Sequence, residues 1–159
     1  MTKHGFTLIE LLVVILIVGI LAAIALPYYQ NAVVHSRYAQ LQITASSLRQ
    51  AAIRYHLGNN RWPSDFSELD VGFQGEISTD GTVLTQKEAS CEYYPEAASR
   101  FLACYTTKAP EVGYLSFYDK EERYCLANDG DEKGNTFCQT LGGQEVESYI
   151  EDMKQYTIP

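Results

Sequence analysis

The sequence lacks charge over a long stretch near its start. No Lys, Arg, Asp or Glu occurs between Leu11 and Leu26, and only one acidic residue, Glu10, precedes Asp65. From Phe6 to Leu26, 18 of the 21 positions are apolar. A helix of that length rises about 31 Å, which matches the hydrocarbon thickness of a bilayer. The missing charge therefore predicts a membrane span.

A secretory signal peptide is the alternative, because Lys3 supplies a positive start and small alanines occur near the far end of the run. The apolar run is longer than a typical signal h-region, and a helical pattern continues past Leu26. Both features favour a retained span. Lys3 before the span, with no basic residue in the ten positions after Leu26, predicts the N-terminus inside and the rest outside.

Histidine is absent after His56, and no pair of cysteines has CxxC spacing. A Ser or Cys nucleophile in the C-terminal part would have no histidine base there, so neither an enzyme nor a bound cofactor is predicted. A zinc site would need thiolates alone, at unusual spacing. The even number of cysteines instead indicates two disulfides in an oxidising compartment. Among the three possible pairings, the equal separations of 13 residues favour Cys91 with Cys104 and Cys125 with Cys138.

Basic residues are scarce in the C-terminal part. From Arg61 onward there are eight Lys and Arg against nineteen Asp and Glu, which leaves a net charge of −11. Such an acidic head is a poor surface for non-specific nucleic-acid binding, so no nucleic-acid partner is predicted.

Helical periodicity continues after the apolar run. Apolar residues recur at alternating intervals of four and three, which predicts one buried stripe on a water-exposed helix. The helix is expected to run from Phe6 to about Leu57, where Gly58 and Asn59 are typical stop residues. Pro27 lies between the two halves and is expected to kink or loosen the helix near residues 23–26. The stripe consists of Val34, Tyr38, Leu41, Ala45, Leu48, Ala52 and Tyr55.

Shorter elements follow. A turn at Trp62-Pro63 precedes a short helix capped by Ser64, and Asp80-Gly81 is typical of a hairpin. Several aromatic and β-capable runs predict about three or four antiparallel strands laid on the helical stripe, which is an α+β fold. The spacing of Val146, Tyr149, Ile150 and Met153 predicts an amphipathic C-terminal helix.

One acidic segment partly matches a calcium loop. Asp129, Asp131 and Gly134 take the first, third and sixth positions. Lys133 takes the fifth and Thr140 the twelfth, where ligands are required. A solvated turn between Cys125 and Cys138 is therefore expected; no metal ligand is assigned, and calcium binding is left open.

Residues 3–30, "KHGFTLIELLVVILIVGILAAIALPYYQ", resemble the N-terminus of the type IV pilin and pseudopilin family. The resemblance implies that a prepilin peptidase cuts between Gly5 and Phe6 and methylates the new α-amine of Phe6. It further implies a leader at 1–5, a transmembrane and polymerisation half-helix at 6–26, an amphipathic half-helix at 27–57, and a globular head at 58–159.

The resemblance gives Glu10 a role. A carboxylate within lipid is costly and therefore marks a functional residue. By similarity to the family, its partner is the freed Phe6 amine of an adjoining subunit, which would set the axial register of a filament. Glu10 could instead bind the N-terminus of its own chain, or remain near the headgroups where the helix dipole favours negative charge. Gly19 and Pro27 are expected to let the helix loosen during assembly.

The expected function is that of a structural subunit of a type IV pilus serving adhesion and twitching motility. A pseudopilin of a type II secretion system is the alternative within the family. A membrane-anchored sensor or enzyme with an uncleaved signal anchor is the alternative outside it. The resemblance implies a single-pass precursor in the bacterial inner membrane and then an extracellular fimbrium. The implied partners are membrane lipid, the prepilin peptidase, the inner-membrane assembly machinery, and identical or related pilin subunits.

Overall fold

The structure is a computed structural model of the 159-residue chain, and it describes residues 6–72, 74–95 and 100–159. Contacts divide the chain into two compact units, one ending at Ser36 and one running from Arg37 to Pro159. The expected leader at 1–5, including Gly5, lies outside the described residues.

Helix α1 spans Leu8–Asn59, which confirms the predicted long helix. Pro27 lies inside this continuous helix, and the kink expected there stays a prediction. At the C-terminus, Asn60 has a φ of 53°, and its N–H donates to the His56 carbonyl at 2.8 Å. Asn60 thus takes the left-handed conformation that closes the helix, one residue beyond the expected stop.

The second unit is built on one eight-stranded sheet in which every neighbouring pair of strands is antiparallel. The order is β1-β2-β3-β4-β5-β6-β8-β7, so the first six strands form a meander and β8 returns beside β6. The α+β prediction is confirmed, but the expected number of strands was too small. The strands are Glu76–Ile77, Val83–Thr85, Ala89–Tyr94, Phe101–Thr106, Val112–Phe117, Arg123–Asn128, Glu145–Val146 and Met153–Thr157, numbered β1 to β8.

The α1 stripe packs on one face of this sheet. Tyr38, Leu41, Ala45, Leu48 and Ala52 are all buried, as their spacing predicted. The Tyr38 ring meets the Tyr114 ring of β5 edge-on, with centroids 6.1 Å apart. Burial of this stripe removes apolar surface from water and is the main stabilising contribution of the helix to the head.

The other face of the sheet carries a second apolar cluster centred on Phe101, Leu115 and Phe117. The predicted C-terminal helix is wrong, because its residues lie in β7, β8 and the turn between them. Tyr149 in that turn meets Phe117 edge-on at 5.4 Å, and Ile150 packs against the same cluster. Val, Tyr and Ile have weak helix propensity, and five register pairs with β6 hold β8 as a strand.

The predicted hairpin at Asp80-Gly81 is confirmed between β1 and β2, and Gly81 has a φ of 77°. The predicted short helix is a 3₁₀ turn at Phe66–Glu68, and its cap is Asp65 rather than Ser64. Asp65 has the better position because its carboxylate accepts a hydrogen bond from the Ser67 N–H at 2.8 Å.

The segment expected to be a solvated turn is partly helical. Helix α2 spans Glu132–Thr140, and Asp131 is its N-cap. The Asp131 Oδ1 atom accepts from the N–H groups of Lys133 and Gly134, both at 3.1 Å. The acidic residue that suggested a calcium ligand is therefore used to start a helix.

Candidate functional site

The N-terminal end of α1 is held by a reciprocal hydrogen-bonded pair, Thr7 and Glu10. The Thr7 N–H and hydroxyl donate to Glu10 Oε2 at 2.8 and 2.7 Å. The Glu10 N–H in turn approaches the Thr7 hydroxyl oxygen at 3.3 Å. This is a capping box, in which a Thr and a Glu three residues later satisfy otherwise unpaired backbone donors. Glu10 is therefore anchored at the helix start through Oε2, and the residue is exposed.

Glu10 lies at the start of an α1 surface that other residues of its own unit leave exposed. The large apolar side chains between Phe6 and Leu26 are from 47% to 87% exposed. This part of α1 is long and apolar enough to cross a membrane by length and composition. Exposed apolar surface of this extent marks contact with lipid or with other protein.

The remaining candidate residues of this segment are placed as follows. Phe6 is 87% exposed, immediately before the capping box. A Cβ at Gly19 would meet no atom within 4 Å, so the surface of α1 is open at this position. The structure thus brings Phe6 and Glu10 to one helix end, whereas Gly19 and Pro27 lie further along α1.

Two disulfides staple the head. Cys91 and Cys104 face each other across β3 and β4 with Cα atoms 4.0 Å apart. Cys125 of β6 is bonded to Cys138 of α2, with Cα atoms 5.6 Å apart. The predicted sequential pairing is confirmed. Each bond closes a loop of 13 residues, which stabilises a fold by about 3 kcal/mol on the chain-entropy model.

Residues 1–26 match the family model described as the prokaryotic N-terminal methylation motif. The chain is 41% identical over 75 residues to a fimbrial protein of Neisseria meningitidis serogroup B, a match that covers 47% of this chain and 44% of the relative. It is also 41% identical over 75 residues to the type IV major pilin protein PilE of Neisseria gonorrhoeae, covering 47% and 45%. Residues 1–26 thus carry the N-terminal methylation motif, and the relatives matched are named fimbrial protein or type IV pilin.

A further relative is also named as a fimbrial protein. The fimbrial protein EcpC of Eikenella corrodens is 48% identical over 63 residues, covering 40% of this pilin-like chain and 41% of the relative. The chain spans less than half the length of these curated relatives. No solved structure matches it. The matched motif and the names of these relatives agree with the expectation of a structural rather than a catalytic protein.

The pilin-like head holds α1 in place through polar contacts as well as the apolar stripe. Arg49 Nε donates to the Phe117 carbonyl at 2.6 Å, and its Nη2 atom donates to the Lys120 carbonyl at 3.2 Å. These bonds tie the helix to the turn after β5. Because a guanidinium presents several donors in a fixed plane, Arg49 can bind both carbonyls at once.

Glu68 is the centre of a second polar cluster near the end of α1. It accepts hydrogen bonds from Arg61, from the Tyr55 hydroxyl at 2.8 Å and from the Ser64 N–H at 2.7 Å. The Arg61 guanidinium, followed by the Ser64 N–H, lowers the pKa of Glu68 to about 2. The charged form of Glu68 thus fixes the segment after α1 to the helix.

Across residues 6–72, 74–95 and 100–159, no group of three or more His, Cys, Asp or Glu side chains is arranged to hold a metal ion. Asp131 Oδ2 accepts from the Glu111 N–H at 2.9 Å, in addition to the two bonds made by Oδ1. Its carboxylate is therefore committed to the backbone of the fold.

Sequence reasoning missed three residues of structural importance. Thr7 was detectable, since Thr followed three residues later by Glu is the signature of a capping box. Asp131 was detectable as an N-cap, but the adjacent acidic residues favoured a loop interpretation. Arg49 gave no signal, because its carbonyl partners are 68 and 71 positions away in the sequence.

Proposed function

We propose that the chain is a structural subunit of a type IV pilus that is anchored in the inner membrane by residues 6–26 and then assembled through the same residues. The observation that carries this proposal is the exposed apolar helix headed by the Thr7–Glu10 capping box. One surface can be covered first by lipid and later by the helices of other subunits, because both environments are apolar.

Processing between Gly5 and Phe6 supplies the partner of Glu10. Cutting there frees an amine on Phe6, which is cationic even after methylation. The Glu10 carboxylate retains acceptor capacity beyond the two bonds from Thr7, because an ionised carboxylate has about four lone-pair sites. Thr7 holds one carboxylate oxygen and leaves the other for the amine of an adjoining subunit.

The ion pair between Glu10 and the Phe6 amine would fix the axial register of adjoining subunits more than it would stabilise the filament. In an apolar filament core an unpaired charge is strongly unfavourable, so one axial offset between helices is selected over others. The head, stapled by disulfides and strongly acidic, would form the outer surface for adhesion or motility contacts. The prepilin peptidase and the inner-membrane assembly machinery are the partners that this route requires.

The relatives matched here are named fimbrial protein or type IV pilin, which supports a surface pilus over a secretion pseudopilin. An uncleaved signal anchor makes a different prediction, since the mature chain would then begin at Met1 or Thr2.

Intact-mass and N-terminal peptide analysis of the chain from a strain with an active peptidase tests the proposal. We expect the mature chain to begin at N-methylated Phe6. Gly5→Leu should retain residues 1–5, because a bulky side chain keeps the peptidase from the backbone, whereas His4→Ala serves as a control that is still cut. Wild-type chain that keeps residues 1–5 would refute the proposal.

A further inference from the structure

A groove of about 650 Å³ opens in the head beside α1. The groove is lined by an α1 surface that includes Ile43 and Thr44, by residues 71, 72 and 74, and by residues 86–89. Buried Leu41 and Leu48 form its floor, and Ile43 at the rim is 64% exposed. The groove thus combines an apolar floor with a polar rim, which is the usual composition of a protein docking site.

The rim is basic, although the head is acidic. Arg37 and Lys87 line the groove. Glu88, the single carboxylate beside them, is bound by Lys108 at 2.7 Å and approached by Arg37 at 3.8 Å. Lys108, with smaller contributions from Arg37 and Lys87, lowers the pKa of Glu88. The two lining cations Arg37 and Lys87 exceed the one lining carboxylate, Glu88, by one positive charge, so the groove would attract an acidic segment.

The same head carries an acidic segment of opposite charge. The turn between β5 and β6, Asp119–Glu122, contains three carboxylates and one lysine, and all four residues are exposed. Arg49 binds two carbonyls at this turn, those of Phe117 and Lys120. Because the turn is held in one conformation, little entropy would be lost when it docks.

Lys87 in the groove and the acidic turn of the same head lie at opposite ends of the sheet. Ala89 at the groove pairs with Thr106 at the end of β4, which is the end of the sheet where β5 starts. The acidic turn follows the other end of β5. The six residues of β5 span about 17 Å, which separates Lys87, two residues before Ala89, from the acidic turn of the same head.

We propose that the groove of one subunit receives the acidic turn Asp119–Glu122 of a second copy in the filament. The contact joins different surfaces of two identical heads, and a head-to-tail contact of this kind propagates along a polymer instead of closing a dimer. It rests on the proposed function and adds to it the surfaces through which adjacent heads meet.

Zero-length carbodiimide cross-linking of purified filaments tests this contact, because it joins a lysine to a carboxylate only where the two touch. We expect a cross-link between Lys87 and a carboxylate of residues 119–122 in filaments, and none in detergent-solubilised subunits. The separation within one head means that this cross-link reports two different copies. A cross-link from Lys87 to another segment or another protein would overturn the proposal.

Charge-reversal variants provide a second test of the contact. Lys87→Glu should lower filament yield about 3-fold or more, because it places like charges at a docking contact. Adding Glu121→Lys to this variant should restore the yield. Lys133→Glu makes the same charge change on the exposed surface of α2 and should leave the yield unchanged. Wild-type filaments without the cross-link and without this charge dependence would refute the contact alone, whereas failure of the wild-type chain to form filaments would refute the proposed function with it.

Discussion

Leu48→Ala tests whether the α1 stripe holds the head together. Leu48 is fully buried between α1 and the sheet. Losing about three methylene equivalents costs about 2.4 kcal/mol in transfer free energy. The cavity left between two rigid elements raises the total loss of unfolding free energy to about 3–4 kcal/mol. For a head of this size, the melting temperature should fall by about 10 °C.

Trp62 is the only tryptophan, and it stacks on His56 of α1 with ring centroids 4.2 Å apart. Its fluorescence during denaturant unfolding in detergent micelles therefore reports the helix and head together. Ile43→Ala is the matched control, since Ile43 lies on the same helix but is 64% exposed. That control should change the unfolding free energy by less than about 0.5 kcal/mol. Equal losses in the two variants would show that the stripe does not carry the stability of the head.

Three further changes test the polar contacts. The lowered pKa of Glu68 stabilises the fold above its unfolded pKa, and this stabilisation is lost as pH falls from about 4.5 toward about 2. Glu68→Gln should therefore cost about 1 kcal/mol at pH 7 and almost nothing near pH 2, and a pH-independent cost in denaturant titrations would contradict this. Asp131→Ala should cost about 1–2 kcal/mol by removing the α2 cap, with no response of the wild-type melting temperature to millimolar calcium; calcium stabilisation would contradict the capping role. Glu10→Ala should leave membrane insertion and head folding intact but abolish or greatly reduce assembly, and Glu10→Gln, which keeps an acceptor for Thr7, should do the same. Filament yield is the measurement for both variants. A normal yield from Glu10→Gln would show that Glu10 caps the helix and has no charge-dependent role in assembly.

The features that could be predicted from the sequence are those with local signals. The charge-free run and the regular spacing of Tyr38, Leu41, Ala45 and Leu48 are sufficient to identify α1 and its buried face, because helix periodicity is visible within a short window. The Asp80-Gly81 hairpin is local for the same reason. The disulfide pairing followed from equal separations along the chain.

The features that were missed depend on distant partners. Met153 pairs with Asn128 and Thr157 with Tyr124, and these contacts keep β8 extended although its apolar spacing also suits a helix. The short strands β1 and β7 contain two residues each, too few for a pattern to appear. In the candidate assembly segment, the Phe6 and Glu10 roles came from resemblance, whereas the Thr7 contact has the local spacing of a capping box and could have been predicted.

The most direct test of the account is the composition of surface filaments sheared from cells at native expression. We expect this chain to be their main component and to begin at N-methylated Phe6, since the proposal makes the exposed N-terminal helix the polymerisation element. Sheared filaments that lack the chain, while it remains in the inner membrane, would contradict the proposed pilus subunit.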